Sequence, residues 1–204
     1  MLLLCLFTGC SDSSDDKMGE PEVIPAGVIN EVIMYEANLK VFARTGAFNA
    51  ISSRLDEIKA LGINVLWLMP VYEEGVKDAI GSPYCVKDYK KVNEAYGTLE
   101  ELKALVKKAH EKDMRVILDW VANHTSWDNA WIQNKSWYTQ DAGGNIVSPE
   151  GMGWTDVADL DYSNTEMREA MLDAMKYWIT EADVDGFRCD HAEGVPDDFW
   201  AQAI

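Results

Sequence analysis

A chain of 204 residues with 48% hydrophobic and 26% charged side chains has the balance of a packed globular protein, which sets intrinsic disorder aside. Its net charge of -17 repels phosphate backbones, so nucleic acid is not an expected partner, whereas a neutral ligand is compatible. The length holds one full domain or a large part of one.

The chain opens with MLLLCLFTGC, an apolar run too short to span a bilayer, followed by an acidic, polar stretch. It reads as a targeting segment. Small residues just before Cys10 resemble the bacterial lipoprotein signal, in which that cysteine is lipidated and becomes the new N-terminus. Residues 1–10 are then the signal and 11–28 a flexible tether. The expected location is the bacterial cell envelope, lipid-anchored at the outer membrane or cell surface. Of the four cysteines, Cys85 and Cys189 lie outside that signal and are expected to be small, buried and inert.

The first predicted strand is VIMY, residues 32–35. A helical stripe of Phe48, Ile51, Leu55 and Ile58 follows, with Gly62 placed to cap its end. INVLWLM, residues 63–69, is a second buried strand stopped by Pro70. A long loop through GSPYCVKDY leads to a helix opened by a Thr98–Glu101 capping box, with Leu102, Leu105, Val106 and Ala109 inward. RVILD, residues 115–119, is the third strand. An insertion, residues 125–162, carries Trp127, Trp131, Trp137 and Trp154, read mainly as its small core, with a minority expected to line a ligand cleft. Ser163 and Glu166 predict another capping box, opening a helix with Met167, Ala170, Met171, Met175 and Trp178 inward. DGFR, residues 185–188, is the fourth strand.

Apolar strands alternating with helices predict a parallel sheet covered by helices. Open doubly wound sheets and closed barrels both fit that pattern. No glycine-rich turn follows the first strand, which counts against the dinucleotide-binding version. Eight such units close a barrel, and four are present. The expected fold class is therefore α/β, a partial TIM (β/α)8 barrel. Its first four strands lie in residues 29–124 and 163–204, with a short inserted domain at 125–162. A half barrel is expected to leave two sheet edges open.

Barrel chemistry sits at the C-terminal ends of the strands. Asp119 and the Asn123-His124 pair occupy that place in DWVANH, and Arg188 and Asp190 occupy it in GFRCD. Alternation along a strand puts Arg188 and Asp190 on one side. A guanidinium beside a carboxylate favours its charged form, which a nucleophile in sugar chemistry requires. By the same alternation His191 points away, and His110, among lysines at a helix end, reads as surface.

DWVANH and GFRCD resemble the first and second signature regions of the alpha-amylase family of glycoside hydrolases. GSPYCVKDY with VNEAYGT is similar to the loop after that family's second strand, and ADLDYSN to a further short motif. The resemblance implies that Asp190 is the nucleophile and that Arg188 holds it ionised. It further implies that His124 bonds sugar hydroxyls, Tyr84 stacks beneath the sugar ring and Asp119 braces the site. No cofactor is implied for the chemistry. Asn123 and Asp159 match positions that bind a structural Ca2+ in many relatives.

The implied reaction is retaining hydrolysis of alpha-glucans such as starch and maltooligosaccharides. The alternatives are a transglycosylase or isomerase of the same family, or an inactive glucan-binding relic. Gly81, with no acidic residue beside it, favours alpha-1,4 bonds. Departures are Glu94 for a usual proline, and Glu193-Gly194 where many starch-cleaving members carry Lys-His. The family's general-acid glutamate follows its fifth strand and its third aspartate the seventh. Neither falls within these four strands, so the chain alone is expected to be inactive.

Overall fold

A computed structural model of the protein describes residues 4–6 and 32–204. Cys10 and the tether at 11–28 lie outside the described residues. One sheet organises the chain. β2 (Met34–Ala37), β3 (Val65–Leu68), β6 (Arg115–Val121) and β9 (Gly186–Asp190) pair in parallel, each beside the strand that precedes it in the chain. A doubly wound sheet reverses its strand order at a switch point. This sequential order does not, so the winding is that of a (β/α)8 barrel, of which four strands are seen.

Of the two expected open edges, the β9 edge is covered in the unprocessed chain: β1 (Leu4–Leu6) pairs with it antiparallel, Cys5 opposite Phe187, and cleavage before Cys10 would remove that strand. The first strand starts two residues later than predicted, because Val32 and Ile33 are exposed and the apolar register begins at Met34.

The helical stripe forms two short helices, α2 (Ala47–Ser52) and α3 (Leu55–Ala60), which bury all four predicted residues. Gly62 follows at φ +84°, a left-handed conformation that suits a residue without Cβ. α4 (Leu99–His110) has the predicted capping box. Thr98 Oγ1 accepts from the Glu101 amide, Glu101 accepts from the Thr98 amide, and the inner stripe is wholly buried.

Three local readings are corrected. The segment read as a long loop contains a hairpin, β4 (Tyr72–Glu74) against β5 (Val86–Val92). Its register slips twice, so Val86, Tyr89 and Val92 are buried at a spacing of three, which hides the strand period of two. α5 (Thr165–Ala182) is capped by Asn164, whose side chain accepts from the Met167 amide, and not by Ser163 with Glu166. On that helix Met167, Met171, Met175 and Trp178 are buried but Ala170 is only partly so. Finally, His110 is not a free surface histidine: its Nε2 lies 2.8 Å from Asp185, tying α4 to the strand below.

The outer layer of the sheet is aromatic. Trp120, Tyr72, Tyr89 and Trp178 pack with centroids 5.3–6.3 Å apart, and Trp178 Nε1 donates to the Tyr89 carbonyl. The insertion hangs from a second hairpin, β7 (His124–Ser126) with β8 (Val157–Asp159), His124 facing Asp159. β4 ends against this stem at Gly75, where an added Cβ would lie 2.3 Å from Ser126 Cβ and 2.7 Å from Asp128 Oδ1. Gly75→Ala is therefore expected to lower stability by about 2–3 kcal/mol, read as a lower urea midpoint with an unchanged slope.

Candidate active site

The ladder between β6 and β9 sets the site. It places Asp119 opposite Arg188 and Val121 opposite Asp190, so the even spacing of 188 and 190 keeps both on one face. Arg188 Nη1 donates to Asp190 Oδ1 at 2.7 Å and to Asp119 at 2.9 and 3.2 Å. One guanidinium thus bridges two carboxylates. Its plane lies over the Trp67 ring, 4.9 Å from the centroid.

Asp119 is fully buried and satisfied. It also accepts from Trp67 Nε1 and from the Tyr84 hydroxyl, both at 3.1 Å. Burial pushes its carboxyl up to about 6, against the pull of Arg188. Burial also works against the charge of Arg188, but Asp119 and then Asp190 outweigh it and hold the guanidinium above its usual range. Burial, then the charges of Asp119 and Asp190, push the Tyr84 phenol up, so it remains a donor.

His124 is 3% exposed, and burial pushes its imidazole down to about 4, so it is neutral near pH 7. Asn123 Nδ2 donates to its Nδ1 at 3.4 Å. Asp190, His124 and Tyr84 come together in one cleft of about 250 Å³, along with Ile80, Ser82, Trp154, Asp156 and Val157. Asp119 sits beneath, behind Arg188.

The two inward shifts have opposite pH signatures. His124 ordinarily titrates at 6.5, so as pH falls from 6.5 toward 4 the unfolded chain takes a proton that the native site refuses, and stability is lost. Asp119 ordinarily titrates at 3.8, so its stabilisation is complete below that value and is lost as pH rises through about 6. The slopes oppose one another over nearly the same window. Between pH 6.5 and 4 the parent should lose about 3 kcal/mol relative to His124→Gln, measured by urea unfolding at stepped pH.

The calcium expectation meets a short donor set. Asn123 and Asp159 are brought close through the backbone, Leu160 N donating to Asn123 O at 3.2 Å. They supply three side-chain oxygens where calcium takes six to eight. Among the described residues no group of three or more His, Cys, Asp or Glu gathers to complete it. Gly194 presses on the same place, since a Cβ there would lie 2.3 Å from Asn123 Oδ1 and 2.6 Å from His191 Cδ2. That explains the glycine after Glu193.

His191 departs from the predicted outward position. Its φ of +45° breaks the strand alternation and turns the ring toward Trp154, with centroids 5.1 Å apart. Sequence reasoning also missed Trp67 and Asp156, and read Trp154 mainly as core of the insertion although it lines the cleft. Strand alternation gave no signal there, because Thr155 and Asp156 lie in a turn just before β8. Cys85 and Cys189 are both buried, as expected.

A parallel barrel sheet carrying an arginine-bridged carboxylate pair at its strand ends defines a (β/α)8-barrel protein of the glycosidase type. Residues 11–143 and 152–201 match the family description "Alpha amylase, catalytic domain". The chain belongs to the alpha-amylase family. It is similar to the crystal structure of a noncanonic maltogenic alpha-amylase from Thermotoga neapolitana (TM-score 0.79, 41% identity), covering 86% of this chain and 42% of that one. It is 34% identical to Alpha-amylase 3 of Dictyoglomus thermophilum over 81% of this chain and 37% of the relative. It is 30% identical to a trehalose synthase of Pimelobacter sp. over 84% of this chain and 35% of the relative. The chain thus spans about a third of the length of these curated relatives.

Proposed function

We propose that the chain carries the nucleophile of a retaining glycosidase acting on alpha-glucans, with alpha-1,4 bonds favoured. The observation that carries this reading is Arg188 joined to both Asp119 and Asp190 at the floor of a cleft walled by Tyr84, His124 and Trp154. Asp190 attacks the anomeric carbon as the glycosidic bond breaks, and the departing oxygen takes a proton. Water then hydrolyses the glycosyl ester. Arg188 aims Asp190 through their hydrogen bond, while Asp119 fixes Arg188 and the Tyr84 hydroxyl together. Tyr84 supports the sugar ring, and neutral His124 exchanges hydrogen bonds with its hydroxyls. The proton donor belongs about 5–5.5 Å from Asp190, and the resemblance places it on a strand beyond these four.

The test is a trap that needs no proton donor. A 5-fluoro-α-glucosyl fluoride loses fluoride with its bonding electrons, so the nucleophile alone forms the ester. An adduct mapped by mass spectrometry to the peptide holding Asp190 supports the reading; an unlabelled protein overturns it. A trehalose synthase among the relatives keeps glycosyl transfer open as a second reading. Products longer than the substrate from maltotetraose would mark it. The proposal extends to the envelope: Cys10 carries lipid, and radiolabelled palmitate incorporated by a bacterial host should vanish in Cys10→Ser.

A further inference from the structure

We infer that Trp154 and Asp156, both on the inserted segment, form a glucosyl-recognising wall of the cleft, with the Asp156 carboxylate accepting sugar hydroxyls. The inference rests on the glycosidase reading of this site.

Four observations lead there. Asp156 is only 5% exposed, yet it lines the cleft shared by Asp190, Tyr84 and His124. Among the described residues its carboxylate has no hydrogen-bond or salt-bridge partner, although its charge is felt by His124, and its main-chain oxygen accepts from Cys85 Sγ at 3.3 Å. A carboxylate that lines the cleft with no protein donor leaves its acceptor sites for a bound ligand with hydroxyl donors. Two residues earlier, Trp154 lines the same cleft, brought there by the turn at Thr155 and Asp156 that precedes β8. The intervening Thr155 is exposed and its carbonyl is taken by Trp127 Nε1.

Trp154 is also held in place. His124 meets it at 5.4 Å and His191 at 5.1 Å between centroids, both edge-to-face, so an imidazole braces it on each contact. This gives His191 its purpose next to Asp190. An aromatic face beside an unpartnered carboxylate matches a pyranose, which offers an apolar C–H face and equatorial hydroxyls. The wall supplies no reacting group. Its role is to select and seat the glucosyl unit.

Calorimetric titration with maltotetraose tests this. Asp156→Ala and Trp154→Ala should each weaken binding roughly tenfold or more, and Trp154→Phe should restore most of the loss. Asp156→Asn, which keeps the shape, should bind several-fold more weakly while its thermal midpoint stays level, because no protein partner of the side chain is lost. A structural residue would lower both together. Monodeoxy maltosides identify the hydroxyl: the parent should lose about tenfold on one analogue, and Asp156→Ala should lose nothing further on it. Undiminished affinity in Asp156→Ala and Asp156→Asn overturns the inference. If Asp190 is labelled in such variants, the glycosidase reading survives that failure. If the parent neither labels nor binds, both fall.

Discussion

In Asp190→Asn the covalent label is expected to disappear, and any glucan turnover to drop at least about 10³-fold, with the fold intact. The amide has the same shape but lacks the charge needed to form a glycosyl ester. Asp190 is 23% exposed on its side chain, and Arg188 keeps its other partner, Asp119, at 2.9 Å. The stability change should therefore stay near about 1 kcal/mol, the range of a partly solvated pair. The measurements are intact-mass labelling and a urea midpoint on the same preparation. Label persisting on the variant at the parental rate would remove Asp190 from the chemistry.

Arg188→Met is expected to fail differently, losing stability as well as label. Asp119 is completely buried, and without the guanidinium its charge keeps only the Trp67 and Tyr84 donors. Removing one member of a buried pair costs about 3–5 kcal/mol, because the other charge is stranded. Adding Asp119→Asn to Arg188→Met should recover part of that loss, since the stranded charge is then gone. A double-mutant cycle by urea unfolding measures the coupling. An Arg188→Met chain as stable as the parent would show that Asp119 is not held by this bridge.

Much of this site was visible in one dimension because it lies on strands. Residues 188 and 190 share a face by simple alternation, and the Thr98–Glu101 box announces its helix through two side chains three apart. What escaped depends on contacts that local spacing does not encode. The partner of His110 is 75 residues away, so neighbouring lysines gave the wrong surroundings. β5 was hidden by its slipped register, and His191 by a left-handed backbone that no side-chain pattern reports. Asp156 was passed over because the insertion lacks a regular period, although the residue is only 5% exposed.

The stem formed by β7 and β8 brings the polypeptide back to the point it departed from, His124 facing Asp159. Whatever lies between its two legs can grow, shrink or be exchanged without disturbing how the barrel strands align. Evolution thereby gains a detachable sampling head over fixed machinery. Diversification among relatives that share the Arg188 bridge should concentrate in that segment, and grafting it between them should carry sugar preference along.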